Sequence, residues 1–349
     1  MLFAKLGLLM TMLIVVDGVG NDVRSRGSGT YTPSKKSQTI CRSYPALTKK
    51  QMMLCRRHPD IAAEAIEGIQ KGISACQNQM RNRRWNCSEL QTKNGNPYTH
   101  PIMRQSYPET AFAYALTAAG VAFKVTSECS MGLLKACGCD TAFSGSADTF
   151  EWGGCSHDID FGVEFSIDFL DSRERNKDPK SRMNLHNNRA GRLAIAEYVE
   201  KKCKCHGMSG SCQLKTCWMQ SPDFGAVAKR LYHKYQSSVK VRPGNKNGGN
   251  LERSPATRKR RVPPQSEVVY LEQSPHYCEP DDGIGSAGTK GRLCNKTGSG
   301  MNSCEVMCCG RGYNEKLERR THPCNCTFMW CCDVKCQSCE TETLIATCK

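Results

Sequence analysis

The feature that most constrains this chain is its cysteine content. Its 349 residues include 24 cysteines, which is an even number. A reducing compartment would keep most of them as reactive thiols, so the count favours a disulfide-bonded protein of the secretory route over a cytosolic one. Aromatic residues make up only 7% of the chain, so we expect disulfides to supply stability that a small apolar core cannot.

The N-terminus predicts a secretory signal peptide over residues 1–20. One lysine precedes an apolar run from Leu6 to Val16, and Gly18 and Gly20 offer small residues for signal-peptidase cleavage. The alternative is a membrane anchor, but about eleven apolar residues cover only about half of a bilayer. We therefore expect the mature chain to be secreted.

The distribution of cysteines predicts two domains, because none lies between Cys217 and Cys278. We expect a helical N-terminal domain at residues 21–240, a linker at 241–266 and a Cys-rich C-terminal domain at 267–349. The linker is rich in Gly, Pro and Asn, which is typical of exposed irregular chain.

Charge supports an acidic partner surface. The chain has 49 basic and 33 acidic residues, a formal net charge of +16. From Lys240 to Arg261 there are eight basic residues and one acidic residue. This run either binds heparan sulfate or is a solvated charge run. Its RKRR segment at 258–261 also has the form of a site for a basic-residue protease.

Apolar spacing predicts that the first domain is helical. A stripe with spacings of three and four follows Pro59, a favourable helix start, and a second, almost wholly apolar helix is expected from Glu109 to Glu128. Two more helices are expected at Phe161 to Arg175 and Asn188 to Lys202. The last 72 residues show neither pattern, so short strands and long loops fixed by disulfides are expected there.

The segment KKCKCHGMSGSCQLKTCW, residues 201–218, predicts a hairpin, which we call the thumb. Residue numbers that pair in an antiparallel hairpin have a constant sum. Cys205 with Cys212 and Cys203 with Cys217 give similar sums, whereas exchanged partners give a worse register. Nested disulfides are therefore favoured, with HGMSGS as an exposed, rigid loop.

Three interpretations of that loop compete with a simple solvated turn. Cys203, Cys205, His206 and Cys212 could bind zinc, although secretion favours disulfides. Ser209 could be a hydrolase nucleophile with His206 as base, but GMSGS lacks the final glycine of the G-x-S-x-G motif. The remaining interpretation is that Ser209 is presented for modification.

Six short segments, which occur in the same order as in a known family, carry a resemblance that extends from about Cys41 to the C-terminus. The chain resembles the Wnt family of secreted, lipid-modified signalling proteins. The matching segments are RRWNC at 83–87, ETAF at 109–112, WGGC at 152–155, MNLHNN at 183–188, CKCHGMSGSC at 203–212 and MCCGRGY at 307–313.

The resemblance implies a fold, a modification and a receptor. The fold is a mainly α N-terminal domain with the disulfide-stapled thumb, followed by a small Cys-rich β/loop domain with an index finger at residues 324–339. Ser209 would be palmitoleoylated by a membrane-bound O-acyltransferase of the Porcupine type. Thumb and finger would then grip the Frizzled cysteine-rich domain, while another surface recruits a low-density-lipoprotein-receptor-related co-receptor.

The finger would supply the second receptor contact. Its tip, which we call the fingertip, comprises residues 328–332, and aromatic and Met side chains there are suitable anchors. They could equally pack beneath the disulfides. Many family members have a basic residue and a histidine where this chain has Thr327 and Met329, so receptor preference is left open. The expected contact residues, besides Ser209, are Phe328, Met329, Trp330, Cys331 and Cys332.

Family alignment supplies the other disulfides, which the sequence alone could not choose. Cys41 and Cys55 are left over and can pair with each other. An adjacent bond between Cys331 and Cys332 also follows from the family, although neighbouring residues lie closer than usual disulfide geometry allows. The other implied pairs are Cys76–Cys87, Cys129–Cys137, Cys139–Cys155, Cys278–Cys309, Cys294–Cys304, Cys308–Cys348, Cys324–Cys339 and Cys326–Cys336.

Three sequons complete the set of candidate sites. Asn86 and Asn295 match family glycosylation sites, whereas Asn325 depends on the unusual Thr327 and lies between disulfide cysteines.

We expect a binding protein that is not an enzyme, has no cofactor, catalytic residue or metal, and does not bind nucleic acid. It would need a secretory carrier and would act at the cell surface or in the extracellular matrix. The alternatives are a disulfide-rich matrix protein and, third, a secreted hydrolase.

Overall fold

A computed structural model of the protein describes residues 35–90, 95–142, 151–174, 177–244, 250–254 and 262–349. The predicted signal peptide and the RKRR segment lie outside these residues. The described helices are α1 Lys35–Ser43, α2 Lys49–Arg57, α3 Pro59–Met80, α4 Pro108–Ser130, α5 Ile159–Leu170, α6 Pro179–Ala196, α7 Phe224–Gln236 and α8 Cys304–Met307. The described strands are β1 Glu151–Gly153, β2 Glu200–Cys205, β3 Lys215–Gln220, β4 Val239–Pro243, β5 Leu251–Arg253, β6 Val269–Tyr270, β7 Leu293–Cys294, β8 Tyr313–Met329 and β9 Asp333–Cys348.

The two long helices predicted from apolar spacing form the centre of the N-terminal half. The stripe of α3 is buried, and nearly every residue of α4 up to Ala122 is buried as well. The two helices approach so closely that a Cβ atom on Gly68 would lie 2.6 Å from the carbonyl oxygen of Gly120. Glycine is therefore required at this crossing. No helix of the described ranges has the length and hydropathy of a membrane span.

Helix α6 differs from the sequence prediction, since it begins earlier, at Pro179, and ends at Ala196. The side chain of Asp178 caps it by accepting from the backbone N–H of Ser181 at 2.7 Å. Asn187 within it exchanges two hydrogen bonds of 2.9 Å with the backbone of Val269. Asn187, a residue type that lowers helix propensity, thus attaches the helix to β6.

The linker predicted from residue 241 is partly regular. Strands β4, β5 and β6 form one small sheet, in the order β5-β4-β6. Its apolar residues Val241, Leu251 and Val269 pack with Met183 of α6 in a separate cluster. These isolated apolar residues form a core only when the strands pair, so composition alone predicted irregular chain.

The C-terminal half contains much longer strands than the sequence predicted. Strands β8 and β9 form an antiparallel hairpin, and β7 pairs with the other edge of β9. Most residues on both faces of this hairpin are exposed. Exposure on both faces removes the apolar alternation by which strands are recognised, which explains the wrong expectation of short strands.

Eleven disulfides are present with the partners given above. The twelfth, predicted between Cys331 and Cys332, is absent, and both residues are exposed free thiols. Adjacent Cα atoms lie about 3.8 Å apart, whereas disulfides usually span about 4.4 Å or more. The two residues form the hairpin turn, with φ of 84° and 79°.

The two halves are joined by the RRWNC segment. The Arg84 guanidinium donates to the carbonyl oxygen of Val306 at 2.9 and 3.0 Å. In the opposite direction, Arg292 donates to the carbonyl oxygens of Arg83 and Arg84 at 3.0 and 2.7 Å. Such charge-assisted bonds to backbone fix the C-terminal half on the helical half.

Candidate functional site

The thumb is a two-stranded ladder formed by β2 and β3. Cys203 and Cys217 are direct partners in it, with Cα atoms 4.1 Å apart. Cys205 is opposite Lys215, so its disulfide partner Cys212 lies beyond the ladder, in the loop. The ladder register therefore accommodates both nested bonds, because only the Cys203–Cys217 bond has both of its cysteines within the strands.

The thumb loop closes on itself through backbone hydrogen bonds. The N–H of His206 donates to the carbonyl of Leu214 at 2.7 Å, and that of Gly207 to the carbonyl of Ser211 at 2.8 Å. A Cβ atom at Gly207 would lie 2.0 Å from the Ser211 hydroxyl oxygen, so only glycine fits there. The Ser211 side chain consequently lies against the opposite side of the loop.

Ser209 occupies the apex of this loop. Its backbone is in the left-handed region, with φ 56° and ψ 25°, which is uncommon for a residue with a side chain. Ser209 is exposed, and the neighbouring Met208 side chain is 92% exposed. The apex thus presents a hydroxyl and an apolar side chain to solvent, away from the body of the protein.

The geometry argues against two of the alternatives considered for this loop. Cys203, Cys205 and Cys212 are all disulfide-bonded, so no thiolates remain to bind zinc. The imidazole of His206 lies with Nε2 3.0 Å from the Thr216 hydroxyl oxygen, on the adjacent strand. Its hydrogen-bond partner is therefore Thr216, which does not support a hydrolase dyad with Ser209.

The base of the thumb is held by a histidine that sequence reasoning missed. The N–H of His157 donates to the carbonyl of Met219 at 2.8 Å, and its Nδ1 accepts from the N–H of Ser221 at 3.3 Å. Burial lowers the pKa of His157. The neutral ring is the form that can accept this hydrogen bond.

The finger ends in a cluster of exposed apolar side chains. Phe328 is 68% exposed and Trp330 is 95% exposed, so neither packs beneath the disulfides. Met329 lies between them and pairs with Asp333 at the last step of the ladder. The structure brings the predicted fingertip residues together, but it places them on a different hairpin from Ser209.

The three sequons differ in geometry. The carboxamide oxygen of Asn86 accepts from the Ser88 hydroxyl at 2.7 Å, and that of Asn295 accepts from the Thr297 hydroxyl at 3.2 Å. Asn325 instead donates from Nδ2 to the side chain of Gln337 at 3.1 Å, within a bulge of the β8–β9 ladder. The nitrogen that would carry the sugar is thus already engaged at Asn325.

A second group that sequence reasoning missed is the carboxylate of Glu109, which is 6% exposed. It accepts from the hydroxyls of Tyr235 at 3.0 Å, Ser274 at 2.7 Å and Tyr277 at 3.1 Å. The available signal was an acidic residue at the start of a largely apolar helix. Its partners, far away in the chain, could not be found from local patterns.

Together, a helical body and two projecting, disulfide-stapled hairpins with exposed tips define a class of cysteine-rich proteins built to present binding surfaces. Comparison with known proteins identifies the family. The Wnt family model matches residues 43–349, and the chain belongs to the Wnt family. Members of this family are secreted signalling ligands, not enzymes.

The solved structures that resemble the chain include two of Wnt proteins. A chain of the complex of human WLS with WNT8A is 35% identical, with a TM-score of 0.61, and the match covers 82% of this protein and 94% of that chain. The N-terminal domain and linker of Drosophila WntD is 21% identical, with a TM-score of 0.44, and the match covers 62% and 98%. The first match supports the helical N-terminal half and the disulfide-rich, stranded C-terminal half.

Proposed function

We propose that this protein is a palmitoleoylated ligand that binds the Frizzled cysteine-rich domain through acyl-Ser209 and the fingertip. The observation that carries the proposal is the exposed left-handed apex at Ser209, on a loop closed by the Cys205–Cys212 bond. An acyltransferase needs a free hydroxyl that it can reach from several directions. Ser209 meets this requirement better than Ser211, whose side chain faces Gly207.

An acyl chain at this position would dominate the receptor interface. Burial of about 16 carbons at about 0.8 kcal/mol each makes on the order of 10 kcal/mol of apolar transfer energy available. The two thumb disulfides restrict the motion of the loop, so binding loses less of that energy to ordering the loop. Met208, exposed beside the serine, adds apolar area at the same point.

The fingertip supplies the second contact. Trp330 and Phe328 are exposed aromatic side chains on a hairpin held by the Cys324–Cys339 and Cys326–Cys336 bonds. Exposed aromatic residues on a rigid support are typical anchors of protein interfaces. Cys331 and Cys332 contribute to this contact as exposed turn residues.

The proposal includes the partners of maturation and transport. A Porcupine-type O-acyltransferase would attach the chain, and a carrier would shield it during secretion. The carrier is supported by the likeness to a chain of the WLS–WNT8A complex. At the cell surface or in the extracellular matrix, a low-density-lipoprotein-receptor-related co-receptor would join the Frizzled complex. Heparan sulfate would bind the basic residues, and glycans would occupy Asn86 and Asn295.

A titration of purified Frizzled cysteine-rich domain against the secreted protein tests this function. Ser209→Ala should lose at least about a hundredfold in affinity, equivalent to about 2.7 kcal/mol. Ser211→Ala is the matched control and should bind like the wild type. Equal binding by all three proteins would contradict the proposal and would favour the alternative, a disulfide-rich matrix protein without a receptor.

A further inference from the structure

A groove on the helical half has no role in the function proposed above. It lies between α5 and α6, and Leu251, Val262, Pro263 and Gln265 also line it. Its volume is about 800 Å³, within the range of binding pockets. It is distinct from the thumb and the finger, so its role does not depend on acylation of Ser209.

The wall formed by α6 alternates basic and apolar side chains. Arg182, Leu185, Arg189 and Leu193 all line the groove, at spacings of three and four residues that place them on one face of the helix. The stripe ends at Ala196. From Arg182 to Ala196 the helix rises about 21 Å at ~1.5 Å per residue, so the groove can receive several turns of a second helix.

The opposite wall is apolar and partly exposed. Val163 and Ile167 of α5 line it, and Val262 also contributes to the lining. Ile167 is 41% exposed and Val262 is 57% exposed. These side chains leave apolar area in the channel for a bound protein to cover.

The charges of the groove are unbalanced. Its acidic residue, Asp171, is already engaged by Arg192, which donates to both carboxylate oxygens at 3.0 and 2.8 Å. Arg182 donates from Nε to the carbonyl of Lys177 at 2.9 Å, and Arg189 is exposed. Among the ion pairs of the described ranges, none involves Arg182 or Arg189. Positive charge therefore remains along an apolar channel.

We propose that this groove binds an acidic amphipathic helix of a partner protein. Apolar residues of such a helix, at spacings of three and four, would pack between Ile167 and Leu193. Acidic residues beside them would pair with Arg182 and Arg189. A sulfated polysaccharide would satisfy the charges but would leave the apolar walls unused, so the protein partner fits the groove better.

A synthetic helix of this chemistry provides the test. The probe is a fluorescent peptide of about 14 residues, long enough to fill the groove, with Leu at the helical spacing and Glu on both flanks. A matched probe has Gln in place of Glu. The secreted protein should bind the acidic probe, and binding of the Gln probe should be weaker by roughly tenfold or more.

Variants of the protein locate the site. Arg189→Glu and Leu193→Gln should each weaken binding of the acidic probe by roughly tenfold or more. Lys229→Glu, the same change of charge at an exposed position of α7, should have no effect. Normal circular dichroism and Frizzled binding would show that each variant is folded.

Three results would each overturn the proposal. The first is absence of binding to the acidic probe, and the second is binding unaffected by Arg189→Glu. The third is binding that Arg189→Glu abolishes but Leu193→Gln leaves intact, with a heparin-derived oligosaccharide displacing the peptide. That third result would identify a polyanion site that does not use the apolar walls.

Discussion

The hydroxyl of Tyr277 lies 3.1 Å from a carboxylate oxygen of Glu109, and this contact joins the C-terminal half to the central helix α4. Ser274 donates to the same oxygen at 2.7 Å. Together with the Arg84 and Arg292 bonds to backbone, this buried carboxylate holds the two halves as one packed body. The helical half therefore fixes the position of the C-terminal half, from which the finger projects.

Loss of the Tyr277 hydroxyl should loosen this junction. Burial and the nearby Glu109 carboxylate raise the pKa of Tyr277, so the hydroxyl keeps its proton and donates it to Glu109. Tyr277→Phe should reduce the free energy of unfolding by about 1–3 kcal/mol, measured by urea denaturation. Tyr198→Phe is the control, because that residue is 40% exposed. Equal losses in both variants would contradict the role of the Glu109 contact.

The crossing of α3 and α4 should tolerate no added atom. Gly68→Ala would bring a Cβ to 2.6 Å from a backbone oxygen, which neither helix can avoid without moving. We expect a loss of about 1–3 kcal/mol or more and reduced secretion, measured by denaturation and by immunoblot of the medium. Gly138→Ala, where a Cβ meets no atom within 4 Å, should be secreted normally. Normal stability of Gly68→Ala would show that the helices can separate.

Acid should weaken the base of the thumb. The folded-state pKa of His157 is lowered, so the unfolded chain binds its proton more readily. The stability contributed by the neutral ring is present above the usual histidine pKa of about 6.5 and is lost as the pH falls through the lower folded-state value. Urea midpoints between pH 7.5 and pH 5 should fall less in His157→Gln than in the wild type. The exposed His233→Gln should match the wild type, and a parallel decline in all three proteins would exclude His157 as the cause.

How far the sequence predicts this molecule depends on how local the determining contacts are. The nested thumb disulfides follow from the register of four nearby cysteines, and α3 follows from its own apolar spacing. The contacts of Glu109 could not be predicted from local sequence, because its partner Tyr277 is 168 residues away in the chain. The β8–β9 hairpin was missed because it is exposed on both faces. The disulfide that the family resemblance implied between Cys331 and Cys332 is absent, and the two residues form a turn in this chain.

The fingertip prediction concerns Trp330, which is 95% exposed. If it is a receptor anchor, Trp330→Ala should weaken Frizzled binding by about 1–3 kcal/mol while leaving secretion unchanged, because the side chain supports no packing. Biolayer interferometry with the purified cysteine-rich domain measures this. Leu317→Ala, exposed near the base of the same hairpin, is the control. Unchanged affinity of a normally secreted Trp330→Ala would make Trp330 a bystander.

The central claim is that Ser209 is the acylated residue, and mass spectrometry of the secreted protein tests it most directly. After reduction, trypsin releases the peptide from Cys205 to Lys215, which contains both Ser209 and Ser211. The wild type and Ser211→Ala should carry the mass of one palmitoleoyl group on this peptide, and Ser209→Ala should carry none while keeping its thumb disulfides. Acyl mass on the Ser209→Ala peptide, or a wild-type peptide without it, would contradict the account.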